Sequence, residues 1–221
     1  MALTLQITTL TDPMFGQNAY VVVEPASAEL WVIDPGLQVD RVIRAVEAHV
    51  RESGGRLSRI VNTHGHVDHI AGNRDLHALH PDTPIAAPAA EAHFLTDPEA
   101  NLSARYGFPV VSPAATELLR AGDVLALGEL RFSVLDVSGH SPGGLALYCA
   151  AEQVCFVGDS IMAGSMGRCD LPGGSEQRLV RNVREQILSL PGSTRLLSGH
   201  GPETTVQREL GTNPYFAVRV G

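Results

Sequence analysis

One segment constrains this chain more than any other. Within His64-Gly65-His66-Val67-Asp68-His69, three imidazoles and one carboxylate fall in six residues, directly after the short apolar run Arg59-Ile60-Val61-Asn62. Two histidines spaced i, i+2 on extended chain point the same way and can share one metal ion. Asp68 and His69 then fall in the following turn and can face a second ion. A loop at the carboxyl end of a strand is a rigid place for such donors, because the sheet holds its base. Two ions need more ligands than six residues supply, so the fold must bring in further His or Asp side chains from distant strand ends.

The sequence offers three. His140 follows the apolar run Leu130 to Val137 and enters the turn Ser141-Pro142-Gly143-Gly144; Asp159 follows Val154 to Val157; His200 follows Arg195 to Leu197 between Gly199 and Gly201. Taken singly, each reads as a turn or cap residue. Taken with the 64–69 cluster they complete a donor set, and their small neighbours let backbone approach the site. His49, His77, His80 and His93 stand alone and read as ordinary solvated polarity.

The rest of the chain supplies the frame. Leu3 to Thr9, Ala19 to Val23 and Leu30 to Ile33 read as strands, the last closing on the turn Asp34-Pro35-Gly36. Apolar residues at Val39, Val42, Ile43, Val46 and Val50 keep helical spacing until Gly54-Gly55 ends it. Residues 71–113 read as helix and loop. Strands return at Val124 to Leu127, Leu130 to Val137, Leu145 to Ala150 and Val154 to Val157. A second amphipathic helix carries Leu179, Val180, Val183, Ile187 and Leu190, and Arg195 to Leu197 is a last short strand. The order strands, helix, strand, donor thus occurs twice. Two packed sheets with helices outside fit it, so the expectation is one four-layer α/β domain over 1–221, its tail from Thr212 packing on its own chain or on a neighbour.

Composition limits the partners. The net charge of −8 argues against nucleic acid, and no apolar run approaches the ~20 residues a membrane helix needs. The N-terminus lacks a basic region followed by an apolar one, which makes the cytoplasm the expected address. All 16 basic residues are Arg, so any cation that holds an anionic ligand here is a guanidinium. Cys149, Cys155 and Cys169 form no CxxC pair; the first two lie in strands and read as buried small apolar side chains, and Cys169 sits in a Gly-rich loop.

These motifs, Thr63 to His69, Gly139-His140-Ser141-Pro142-Gly143, Gly158-Asp159, Gly167-Arg168-Cys169-Asp170-Leu171-Pro172-Gly173-Gly174, Gly199-His200-Gly201-Pro202 and Asn213-Pro214, resemble those of the metallo-β-lactamase superfamily over essentially the whole chain. More narrowly they are similar to the short form of the hydroxyacylglutathione hydrolases, or glyoxalase II. The resemblance implies a four-layer αββα sandwich. It implies a first metal on His64, His66 and His140, a second on Asp68, His69 and His200, and Asp159 bridging them. Zinc is the first expectation for both ions, with iron or manganese also suited to His/Asp donors. Two ions about 3.5–4 Å apart lower the pKa of a shared water and present hydroxide at neutral pH. The implied substrate is a small-molecule thioester such as S-lactoylglutathione, with Arg168 holding a substrate carboxylate or else paired to Asp170. A lactonase, and a mononuclear iron persulfide dioxygenase using His64, His140 and Asp159, are the alternatives on the same scaffold. Gly199-His200-Gly201-Pro202 favours the hydrolase over the dioxygenase.

Overall fold

The computed structural model describes residues 5–216. The first half of the chain runs β1 (Gln6–Thr11), β2 (Asn18–Glu24), β3 (Glu29–Ile33), α1 (Val39–Ser53), β4 (Arg56–Val61), α2 (Val67–Ile70), α3 (Asn73–Leu79), β5 (Ile85–Pro88) and β6 (Glu117–Leu119). Its strands form one sheet in the order β1-β2-β3-β4-β5-β6, antiparallel up to β3 and parallel from there. The second half adds β7 (Val124–Leu127), β8 (Leu130–Asp136), β9 (Leu145–Cys149), β10 (Val154–Gly158), the two-residue strands β11 (Ile161–Met162) and β12 (Ser165–Met166), α4 (Glu176–Asn182), β13 (Arg195–Ser198), β14 (Thr204–Thr205) and α5 (Val206–Thr212). Its sheet runs β14-β13-β10-β9-β8-β7, with β10 and β13 parallel and β11 and β12 a separate hairpin.

The period-2 alternation of strands decides which residues face which layer. Tyr20 and Val22 on β2, and Trp31 and Ile33 on β3, point between the sheets to meet Phe132, Val134 and Phe156. The Trp31 and Phe132 ring centroids are 5.0 Å apart; truncating either to alanine costs about 3–5 kcal/mol. The alternate residues Val21, Leu30 and Val32 face outward onto Val42 and Val46 of α1 and Leu76 of α3. On the other side Cys155 and Val157 of β10 lie under Leu179, Val183 and Ile187. The result is the expected four-layer αββα sandwich. Phe216 is buried in this last cluster, so the tail packs on its own chain as far as it is described.

The structure corrects several sequence expectations. The first strand lies at Gln6–Thr11 rather than starting at Leu3, and Leu3 and Thr4 fall outside the described residues, as do residues 217–221 of the tail. The strand expected from Arg59 begins at Arg56, its outward residues too polar to register as an apolar run. The 71–113 stretch is not only helix and loop, because it contains β5, a four-residue strand bounded by Pro84 and Pro88 and buried along its whole length. Two alanines and flanking prolines hide such a strand, since low β-propensity is overridden by burial on both faces. The second amphipathic helix is not one uninterrupted α-helix: α4 passes into a π-turn over Val183–Ile187, and Leu190 lies beyond it. Cys149 and Cys155 are buried as expected, and Cys169 is half-buried. Among the described residues no helix is long and apolar enough to cross a membrane.

Two backbone hydrogen bonds tie the sheets together at one edge. Leu145 N–H donates to Thr63 C=O at 2.9 Å, and Asn18 N–H donates to Gly199 C=O at 2.7 Å. That edge carries the carboxyl ends of β4, β8, β10 and β13, after which the metal-competent residues stand.

Candidate metal centre

All seven donor residues expected from sequence converge at this edge. After β4 the chain bends at Thr63 and His64, is extended at His66 (φ −70°, ψ 149°) and then closes into the single turn of α2. This puts His64 at a bend, where extended chain is expected from the sequence, His66 on extended chain, and Asp68 and His69 on a helical turn rather than a plain one. Three groups result, each with donor atoms within 4.8 Å of one another: His64, His66 and His140; His64, His69 and Asp159; Asp68, His69 and His200. The Asp159 carboxylate lies between the outer two. Its Oδ1 is 3.4 Å from His69 Nε2, and its Oδ2 is 3.5 Å from His140 Nε2 and 3.4 Å from His200 Nε2. His200 Nε2 is also 3.2 Å from Asp68 Oδ2.

The far side of three of the five rings is anchored. His69 Nδ1 faces Asp34 Oδ2 at 2.9 Å, His140 Nδ1 faces the Arg168 carbonyl at 2.7 Å, and His200 Nδ1 faces the Phe15 carbonyl at 3.1 Å. Each oxygen accepts a hydrogen bond from Nδ1–H and so turns Nε2 inward, toward the cluster. Gly199 is required by close approach, because a Cβ there would fall 2.0 Å from Asp159 Oδ1 and 2.7 Å from His69 Cε1.

The electrostatics divide the cluster. Burial pushes the His64 imidazole well below its ordinary value and takes His66 down to about 3, with the neighbouring imidazoles adding to it, so both stay neutral. Burial also lowers His200, but hydrogen bonds to Asp159 and Asp68 outweigh it and carry the ring up to about 10. His69 is raised against its own burial by Asp159, Asp34 and Asp68. Asp159 and Asp68 resist burial in turn and lie below the usual carboxylate range, held there chiefly by His69. The centre is thus a pocket of buried negative charge that borrows protons onto its own histidines.

The residues fit a bound cation. His64 Nε2, His69 Nε2 and Asp159 Oδ1 are buried with no hydrogen-bond partner although they form one of the three groups. Buried polar atoms are normally satisfied. His66 Nδ1 and His140 Nε2 face each other at 3.0 Å, and two lone pairs that close repel unless a proton or cation lies between them. The donor set holds imidazoles and carboxylates with no thiolate, chemistry that suits zinc, iron or manganese.

A cleft of about 320 Å³ opens over the cluster, its wall formed by Leu102, Tyr106, Met162, Met166, Arg168 and Leu171. The Arg168 guanidinium is exposed and forms a two-point ion pair with Asp170 at 2.7 and 2.6 Å. The pairing with Asp170 is therefore the state found, and the tie from this residue to the centre runs through its main-chain carbonyl. His49, His77, His80 and His93 join none of the three groups. Two buried acids beside the centre, Asp34 and Glu91, are not announced by the sequence. Asp34 follows β3 as the donors follow their strands, yet in the sequence it reads only as part of a turn. Glu91 lies in a 3₁₀ segment, Ala89–Thr96, and nothing in its surroundings announces it.

Residues 12–200 match the family model of the metallo-beta-lactamase superfamily. The chain belongs to this superfamily. It is 29% identical over 187 residues to hydroxyacylglutathione hydrolase GloC of Haemophilus influenzae, covering 84% of this chain and 86% of that protein. Among solved structures, the BLEG-1 B3 metallo-beta-lactamase superposes with a TM-score of 0.88 at 33% identity, over 96% of this chain and 100% of that one. TTHA1623 in a di-iron-bound form gives 0.77 at 31% identity, over 94% and 99%. Membership places the chain among metallo-hydrolases with a His/Asp metal-binding cluster.

Proposed function

We propose that this chain hydrolyses a thioester, S-lactoylglutathione or the 2-hydroxyacyl conjugate of another small thiol, with two zinc ions at the 64–69 cluster. The observation that carries the reading is the position of Asp159, one carboxylate oxygen turned to His69 and the other to both His140 and His200. On this reading His64, His66 and His140 hold one ion, Asp68, His69 and His200 the other, and Asp159 both. When bound, such a pair supplies a hydroxide nucleophile at neutral pH and polarises the thioester carbonyl.

The chain's own part is to place this chemistry. Asp34, the Arg168 carbonyl and the Phe15 carbonyl fix the rings that face the ions. Leu102, Met162, Met166 and Leu171 give the cleft an apolar wall against which an acyl thioester can lie. Arg168, freed from Asp170, is the one guanidinium on the cleft among the described residues, and it can meet a substrate carboxylate. The similarity to a protein named as a hydroxyacylglutathione hydrolase supports the thioester class.

Metal analysis of purified protein together with thioester turnover tests the reading. Two zinc per chain and rates on S-lactoylglutathione well above those on simple esters and lactones are expected. One iron per chain with oxygen consumption on a persulfide would replace it with the dioxygenase. Rates on generic esters equal to those on the thioester would sink the substrate assignment.

A further inference from the structure

Glu91 is a fully buried acid that belongs to none of the three donor groups, yet it touches both loops that carry the first of them. Its Oε2 accepts the Gly65 N–H at 2.7 Å, and its Oε1 accepts the Gly143 N–H. Gly65 stands between His64 and His66, and Gly143 lies three residues beyond His140. The two loops leave different sheets, one after β4 and the other between β8 and β9. One carboxylate therefore spans the gap across which these imidazoles must meet.

The approach is close on both sides. A Cβ on Gly143 would come within 2.8 Å of Ala90 Cβ and 3.2 Å of Glu91 Cγ, and one on Gly65 would fall 2.5 Å from Phe94 Cβ. Both glycines are thus shaped to the 3₁₀ segment that carries Glu91. A carboxylate suits this place because each of its oxygens accepts, whereas an amide of the same size offers one acceptor and turns a donor toward the second N–H.

We propose that Glu91 is a positioning residue for metal binding, a staple that sets the spacing between the His64–His66 turn and the His140 loop. With both bonds made, His66 Nδ1 and His140 Nε2 stand 3.0 Å apart and can bind one ion without the loops first being drawn together. The inference rests on the reading of these imidazoles as ligands of a single metal.

The test is zinc retention against a chromophoric chelator, measured on wild type, E91Q, E91A and G143A, with circular dichroism to establish that each is folded. Outer residues that orient ligands typically contribute roughly 10- to 100-fold in metal affinity. E91Q is expected to lose zinc at chelator concentrations about tenfold lower than wild type, and E91A at lower concentrations still. G143A, which leaves Glu91 in place but crowds it, is expected to fall beside E91Q. Turnover of the zinc-loaded variants should show a lower kcat with KM little changed. A role in packing alone predicts a lower melting temperature for the metal-free variants with wild-type zinc retention, and that result overturns the proposal. If E91A does not fold, E91Q and G143A decide the question. Wild-type protein that binds no metal would instead overturn the reading of the site.

Discussion

Asp34 adopts φ 51°, a left-handed conformation that asparagine and aspartate tolerate better than other side chains. Its buried carboxylate accepts from Thr63 N–H and Thr63 Oγ1–H, each at 2.7 Å, and from His69 Nδ1. It therefore holds both the entrance of the 64–69 turn and one ring within it. D34N keeps the size and the backbone tolerance but removes the charge that makes His69 a strong donor. It is expected to weaken zinc binding roughly tenfold or more while the protein still folds; chelator titration measures it, and an unchanged midpoint would show the carboxylate to be dispensable. Gly199 gives a harsher case. G199A drives a methyl into Asp159 and His69, so it is expected to lose at least one of two bound metals by elemental analysis, together with most of its hydrolysis. A G199A protein that keeps both ions and full rate would mean that Asp159 can move aside.

At the scale of elements, the β11–β12 hairpin brings Met162 and Met166 to the cleft wall, and α5 holds the hairpin from behind. Asn213 Nδ2 donates to the Ser165 carbonyl at 2.9 Å and to Glu209 Oε2 at 2.7 Å, while Gly164 N–H donates to the same Glu209 oxygen at 2.9 Å. N213A removes the donor and loosens the wall without touching the metal donors. KM for a thioester should rise several-fold with kcat held within about twofold, as expected when binding common to ground and transition state is lost. Stability should fall by about 1–3 kcal/mol for the buried acceptors left unpaired. A fall in kcat alone would contradict this assignment. The Asn213-Pro214 pair was visible in the sequence as part of a resemblance, but its job was not, because it lies in contacts with a hairpin some fifty residues away. The donors were legible for the opposite reason: three histidines and an aspartate crowd residues 64–69 after one apolar run, and His140, Asp159 and His200, each after a run of its own, gain their meaning from that cluster. Asp34 follows an apolar run too and was absorbed into its turn. Glu91 and β5 carried no signal, since a buried acid in an alanine-rich stretch and a four-residue strand between prolines acquire meaning only from what packs on them.

The whole molecule places its donors on both halves of the sandwich. His64, His66, Asp68 and His69 follow β4 of the first sheet; His140, Asp159 and His200 follow strands of the second. Ions held by both sets bind the folded arrangement and find no equivalent site in the unfolded chain, so their binding energy adds to the stability of the sheet packing. Free metal at a thousand times its dissociation constant adds about 4 kcal/mol per site. For a chain of 221 residues that corresponds to a rise in melting temperature of roughly 8–16 °C. Stripping one ion should lower the melting temperature by such an amount and stripping both by more, and returning zinc should restore it. The metal-free protein is expected to remain folded, because His69 and His200 share protons with Asp159 and Asp68 and partly neutralise the buried charge. Calorimetry on stripped and reloaded protein separates the possibilities. A melting temperature that ignores the metals, in protein shown to bind two of them, would mean that the unfolded chain binds them equally well, through local donors such as the His64–His69 segment rather than through the two halves together.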